Sequence, residues 1–182
     1  MNTKLFLSLL VAQIWVSVSF AQEYKPVDEG SAVAFEIKNL GFNTKGSFKG
    51  LDGRIVFDPN DLSKSSFDVT VDATTVNTDN EMRDSHLRKE SYFDVENYPK
   101  IRFISTSCSG PDKNGHYTLS GKLTIKKTTK EMNVSFLATR LGDDYIFKGD
   151  FQINRKDFKI GGNSMVLGDN VTVSLSVLAE KK

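Results

Sequence analysis

The sequence has few of the residues on which enzyme and metal chemistry most often depends, with one cysteine and two histidines among 182 residues. Cys108 has no second cysteine to pair with, so an intramolecular disulfide is excluded, and we interpret it as a small buried apolar side chain. His86 and His116 belong to no cysteine pair and no HxH motif. Because a zinc site takes three or four such ligands, the sequence predicts no metal site and no cofactor.

A large net charge is also lacking. The chain contains 24 Lys and Arg residues against 23 Asp and Glu residues. Proteins that bind nucleic acids usually concentrate basic residues on one surface. We therefore predict no nucleic-acid partner.

Long apolar runs are lacking except near the N-terminus, where residues 5–20 read LFLSLLVAQIWVSVSF. This run is too short and too weakly flanked to predict a membrane span. Lys4 precedes the run, and Ser19 and Ala21 supply the small residues that signal peptidases need at positions −3 and −1. The pattern predicts a secretory signal peptide over residues 1–21.

Cleavage between Ala21 and Gln22 would leave residues 22–182, without an integral membrane span. These 161 residues (182 minus 21) are enough for one domain with a sizeable core. We therefore expect a single exported domain that is periplasmic or secreted.

The remaining sequence is dominated by the alternation of apolar and polar residues with a period of two. In SSFDVTVDATTV, Phe67, Val69 and Val71 point one way while the intervening Asp and Thr residues point the other. Such a pattern is typical of a strand with one buried and one solvated face. About eight such runs follow one another, and turn signals separate them at residues 58–61, 110–115, 141–144 and 167–170.

Short connections predict antiparallel neighbours, so the chain is predicted to be all-β. Eight such strands form either a two-sheet sandwich or a closed barrel, and closure removes the exposed edges. The alternation alone leaves both architectures open.

One segment, NTDNEMRDSHLRKESYFDVENYP, has no alternation and predicts a short helical insertion over about residues 79–97. Thr78 with Glu81 three positions later forms a capping-box pattern, which places the helix start there. Asp84 and Arg88 follow at a spacing of four, which stabilises a solvated helix face.

The same segment contains the residues that most resemble an active site, Arg83, Asp84 and His86. On a helix, however, Asp84 and His86 point about 200° apart, so they do not pair as the acid and base of a triad do. The sequence therefore favours a non-enzyme in which hydrogen bonds hold the insertion to the rim of the barrel, and no residue is predicted to be catalytic.

The predicted interior is rich in phenylalanine, with 13 in the whole chain. An eight-stranded barrel is either just filled by side chains or holds one small ligand. Gly121, Gly149 and Ser105 would leave room beside the aromatic rings, so a long hydrocarbon chain is the predicted guest. The residues predicted to face the lumen and contact it are Phe35, Phe57, Phe67, Val69, Val71, Phe103, Leu119, Leu123, Phe136, Phe147, Phe151, Val173 and Leu175.

Four stretches together resemble the YceI-like family of exported bacterial proteins: FEIKNLGFNTKGSFKGLDGRIVFDP, TVNTDNEMRDSHLRKESYFDVENYPKIRF, LSGKLTIKKTTKEMNVSF and FQINRKDFKIGG. The resemblance covers nearly all of residues 22–182, and RDxHL followed by YFDVENYPxIxF is its most specific part. Two positions depart from the family pattern, since Lys127 and Lys159 stand where glycine is usual.

The resemblance implies a lipocalin-like antiparallel barrel that binds a polyisoprenoid, such as an isoprenoid quinone or a polyprenyl lipid. Arg83 and His86 are the candidate contacts for its polar head. Two alternatives stay open: an enzyme that modifies such a lipid through Arg83, Asp84 and His86, and a barrel filled by its own side chains. Whether the protein is a monomer or a homodimer also stays open.

Overall fold

The computed structural model describes residues 22–182. The predicted signal peptide lies outside the described residues, and so does Ala21 of the predicted cleavage site.

Eight strands account for most of the described chain, and one short α-helix interrupts them. The elements are β1 (Glu23–Asn39), β2 (Phe42–Val56), β3 (Ser66–Asn77), α1 (Glu81–Leu87), β4 (Lys100–Ser109), β5 (Tyr117–Ile125), β6 (Thr128–Leu141), β7 (Asp144–Asn154) and β8 (Leu167–Lys181), with 3-10 turns at Leu62–Lys64 and Arg155–Phe158.

Each strand pairs antiparallel with the next, and β8 pairs antiparallel with β1, so the sheet closes into a barrel. The predicted eight-stranded antiparallel barrel with a short helical insertion is confirmed, and the sandwich alternative is wrong. The turn predicted at residues 167–170 is also wrong, because these residues begin β8 and Leu167 pairs with Asn39.

The long strands bend through bulges at glycines. A register shift interrupts the β2–β3 ladder between Lys49 and Asp52, and Gly50 lies there with φ 73°, where an added Cβ would stand 2.6 Å from the Asp72 Cβ. Only glycine fits such an approach. Nearby, the Asp28 carboxylate accepts hydrogen bonds from the backbone N–H groups of Gly50 and Leu51, each at 2.9 Å. Bulges of this kind bend a strand and increase its twist, which favours closure of the sheet.

One end of the barrel is closed by six rings that we call the aromatic floor: Phe57, Phe67, Tyr117, Phe136, Tyr145 and Phe147. Phe57 lies at its centre and is 1% exposed. Its ring centroid lies 5.2 Å from that of Tyr145 and 5.4 Å from that of Phe147, both edge-to-face. Rings in this geometry attract one another beyond the burial of their area, so the floor is a packed core.

The insertion lies at the opposite end, between β3 and β4. Its helix begins later than predicted, because Asn80 rather than Thr78 is the N-cap and accepts from Arg83 N. It also ends earlier, since α1 stops at Leu87 and residues 88–97 form turns rather than helix.

The expected pairing of Asp84 with Arg88 on a solvated face is wrong. Asp84 is buried and accepts from the backbone N–H of Thr78 at 2.9 Å and from its hydroxyl. Arg88 instead donates to the carbonyl oxygens of Thr74 and Val76, at 2.8 and 3.0 Å. Both side chains bond to the end of β3, which holds the insertion on the barrel.

Hydrogen bonds from one arginine side chain hold the connection between β7 and β8. The Arg155 side chain is 1% exposed and donates to the carbonyl oxygens of Ile160, Gly162, Leu167 and Gly168 and to the Asp169 carboxylate. Lys159, which stands where glycine is usual in the family, keeps a left-handed backbone with φ 56°. A single guanidinium thus fixes the chain from residue 160 to residue 169.

We expect Arg155→Met to lower the free energy of unfolding by about 2–5 kcal/mol, because four carbonyls and a carboxylate lose the buried guanidinium that donates to them. Unfolding in denaturant measures this change in free energy. Lys156→Met is the matched control, since Lys156 bonds to the same carboxylate at 2.8 Å but is 42% exposed, and it should cost less than about 1 kcal/mol. Equal losses of unfolding free energy in the two variants would show that the buried hydrogen bonds of Arg155 stabilise the fold no more than an exposed ion pair does.

Candidate functional site

Between the aromatic floor and the insertion, the lumen contains a cavity of about 1140 Å³. Pockets for drug-sized ligands usually measure about 300–1,000 Å³. The lumen is therefore not filled by the protein's own side chains, and it has room for a ligand larger than a typical drug.

The wall of this cavity is aliphatic and aromatic, and every strand except β6 contributes to it. Its apolar side chains include Val33, Phe35, Ile37, Phe48, Leu51, Val69, Val71, Phe93, Ile101, Phe103, Leu123, Ile125, Phe151, Ile153, Ile160, Val171, Val173, Leu175 and Val177. A wall of this composition favours a hydrocarbon guest, because apolar surface removed from water contributes about 25 cal/mol per Å².

A smaller cavity of about 110 Å³ lies between the main cavity and the floor. The two share wall residues such as Val69, Phe103, Phe151 and Leu175. The lumen therefore narrows toward the floor instead of ending abruptly.

The residues predicted to face the lumen divide between these regions. Those that line the main cavity are Phe35, Val69, Val71, Phe103, Leu123, Phe151, Val173 and Leu175. Phe67, Leu119, Phe136 and Phe147 line only the smaller cavity. Phe57 lines neither and lies at the centre of the floor.

None of the three positions expected to leave room lines the main cavity, and only Gly149 lines the smaller one. A Cβ added to Gly121 would stand 2.5 Å from the Phe103 ring, so that ring already occupies the space. At Gly149 the added atom would stand 2.5 Å from the Ser135 carbonyl oxygen, so the glycine permits close strand approach. Ser105 accepts a hydrogen bond from the Phe67 backbone N–H at 2.8 Å. The free volume comes instead from the width of the barrel above the floor.

Sequence reasoning missed several wall residues. Ile37, Ile101 and Ile153 lie on the same alternating registers as predicted residues, so the signal for them was present. Phe48 and Phe93 gave no such signal. Their rings meet edge-to-face with centroids 5.3 Å apart, and only the folded chain brings the insertion against β2.

The cavity opens at the insertion end, through a portal between α1, the β1–β2 turn and residues 163–166. The polar side chains at this portal include Asn39, Ser85, His86 and Lys89. Polar groups are thus collected at the portal, whereas the depth of the lumen is apolar.

Arg83 lies at this portal, and its hydrogen bonds are directed to Thr78. Its Nε donates to the Thr78 hydroxyl and its Nη2 to the Thr78 carbonyl oxygen, both at 2.7 Å. The same hydroxyl donates to Asp84. The arginine therefore has a structural role, and its Nη1 group takes part in neither bond.

His86 lies beside Tyr92, with ring centroids 5.0 Å apart. The Tyr92 ring covers Gly161, where an added Cβ would stand 2.8 Å from it, and Gly161 N donates to Ser91 O at 2.8 Å. The structure thus brings Arg83 and His86 to the same portal, but the Asp84 carboxylate bonds to Thr78 and not to His86.

Within residues 22–182, no three His, Cys, Asp or Glu side chains are grouped so as to hold a metal ion. In the same residues, no helix has the length and apolarity needed to cross a membrane. Cys108 packs beside the aromatic floor, and burial raises the pKa of its thiol. A raised pKa lowers the thiolate population that reacts.

The sequence and the fold were compared with known proteins. The family model described as the YceI-like domain matches residues 24–179. A UPF0312 protein of Yersinia pestis is 30% identical over 99% of this chain and 92% of its own. Another from Pectobacterium carotovorum is 33% identical over 88% of each chain.

Solved structures share the barrel. BcnA of Burkholderia cenocepacia matches with a TM-score of 0.76 and 25% identity over 81% of this chain and 95% of its own. A YCEI protein of Campylobacter jejuni matches with a TM-score of 0.68 and 28% identity, over 78% of this chain and 86% of its own. A polyisoprenoid binding domain of Saccharophagus degradans has a TM-score of 0.69 over 87% of this chain and 98% of its own, and its 13% identity supports the fold alone.

Proposed function

The chain belongs to the YceI-like family, and we propose that it is a non-catalytic carrier or scavenger of a polyisoprenoid. The observation that supports this most is the apolar cavity of about 1140 Å³, closed by aromatic rings at one end and open at the other. An isoprenoid quinone or a polyprenyl lipid has the matching form of one long apolar chain with one polar head. The polyisoprenoid binding domain of Saccharophagus degradans shares this barrel.

The ligand should enter tail first. The polar side chains lie around the portal, and the smaller cavity near the floor is lined by Phe67, Leu119, Phe136 and other apolar residues. A polar head carried to that depth would lose its hydrogen bonds to water without replacement. The tail therefore supplies most of the binding free energy, and the head stays at the portal within reach of Arg83 and His86.

The enzyme alternative has less support. Arg83 and Asp84 are already engaged with Thr78, and His86 lies beside Tyr92. Turnover of a bound polyprenyl lipid that is lost in His86→Ala at unchanged stability would favour the enzyme instead.

We expect Val173→Trp to weaken binding of a fluorescent polyprenol by tenfold or more, because the indole fills the cavity where the chain runs. Fluorescence titration measures the affinity of each variant for the polyprenol. Ser174→Trp is the matched control, since the neighbouring side chain points out of the barrel and is exposed, and it should bind as the wild type does. Equal affinities in all three proteins would contradict a ligand in the lumen.

Arg83→Ala separates a head-group role from a structural one. If the free Nη1 group meets a phosphate head, the variant should bind polyprenyl phosphate more weakly by about 1–3 kcal/mol while binding polyprenol almost normally. Thr78→Val removes the hydroxyl that accepts from Arg83 and loosens the insertion without removing the positive charge. An equal loss for both ligands, or the same pattern in Thr78→Val, would leave Arg83 with a structural role only.

We further propose that the protein is exported to the periplasm or secreted, on the support of the apolar run at residues 5–20 and the small residues before Gln22. Intact mass spectrometry of protein expressed from the full sequence should give a chain beginning at Gln22. A full-length chain recovered from the cytoplasm would contradict export. Light scattering on the same sample distinguishes a monomer from a homodimer.

A further inference from the structure

Most of the large apolar side chains that are exposed in residues 22–182 lie around the portal. We call five of them the apolar rim: Leu40, Phe42, Met82, Met165 and Val166. Phe42 is 77% exposed, Met82 84% and Met165 fully exposed. Exposed apolar patches on soluble domains usually mark a surface that meets another apolar surface.

The rim comes from three separate segments that the fold brings together. The Leu40 backbone N–H donates to the Val166 carbonyl oxygen at 2.8 Å, so the β1–β2 turn and the loop before β8 lie side by side. Met82 projects from α1 and, like Val166, also lines the main cavity. The rim is therefore continuous with the apolar lumen.

The two loop segments of the rim carry no charge. Residues 39–44 read NLGFNT and residues 160–168 read IGGNSMVLG, although 26% of the whole chain is charged. The charged residues directly next to these segments are Lys38, Lys45, Lys159 and Asp169. Uncharged tips enter an apolar layer without the cost of burying an ion, and the flanking charges stay in water.

We propose that the apolar rim docks on a lipid bilayer, with its side chains in the interface and the portal facing the acyl chains. The proposal rests on the proposed function, because a polyisoprenoid dissolves poorly in water and resides in a bilayer. Docking in this orientation lets the chain pass from the acyl layer into the lumen along continuous apolar surface. A second copy of the protein seated on the rim would instead seal both portals.

Flotation with extruded phosphatidylcholine vesicles, with and without phosphatidylglycerol, tests the docking. The wild type should bind both kinds of vesicle and keep its binding at high salt. The triple variant Leu40→Asn, Phe42→Ser, Met165→Gln changes only rim residues outside the cavity wall. It should bind about tenfold more weakly or worse, because most of the inserted apolar area is gone. Leu137→Ser with Leu141→Ser is the matched control, since these side chains are 39% and 53% exposed on β6, away from the portal, and it should float as the wild type does.

A wild type that does not float, a rim variant that floats as well as the wild type, or binding lost at high salt overturns the proposal. A rim-dependent dimer seen by light scattering, without vesicle binding, also overturns it and assigns the rim to a second copy. Polyprenol delivered from detergent micelles is titrated into the same proteins. A rim variant that binds polyprenol but not vesicles supports docking as a step separate from binding in the lumen. A wild type that floats but binds no polyprenol contradicts the proposed function and leaves the docking in place.

Discussion

The lumen exists because β8 pairs with β1. This pairing runs along most of both strands, for example Phe35 opposite Val173 and Ile37 opposite Val171, and it leaves no free strand edge in the described barrel. A closed sheet bonds its backbone groups to one another, so only side chains face the interior. Had the two strands stayed apart, the same apolar faces would have packed together as a sandwich with no cavity.

Aromatic residues have two different roles inside the barrel. At the closed end, Phe57 and its neighbours pack edge-to-face into the floor. Higher in the barrel, the rings of Phe35 and Phe103 lie against Gly46 and Gly121, where a Cβ would collide with them. The glycines let these rings lie along the wall, which keeps the lumen open at the level of the main cavity.

The polar residues at the open end mainly shape the portal. Arg83, Arg88 and Arg155 donate chiefly to backbone carbonyls of the insertion, of β3 and of the loop before β8. Of these, Arg83 lies in the segment that most resembles an active site in the sequence. The hydrogen bonds of all three arginines instead hold three irregular segments in place, and those segments set the size of the opening and carry the apolar rim.

The sequence by itself determined the strands, their antiparallel order and eight of the apolar wall residues, because alternation with a period of two is a local property that each strand carries alone. It also determined that Arg83 and His86 lie on an insertion, since the alternation stops there. Thr78 looked like a helix cap from its spacing, but Asn80 takes that role, and Thr78 instead donates to the buried carboxylate of Asp84.

The tertiary structure alone decided three further features: barrel rather than sandwich, which phenylalanines form the floor, and where the portal lies. Phe57 and Phe35 are alike in the alternating pattern, yet one is packed among rings and the other lines the cavity. The rim likewise joins Leu40 to Val166 across more than a hundred residues. Such features depend on the closing of the sheet and on contacts between distant segments, which no local pattern encodes.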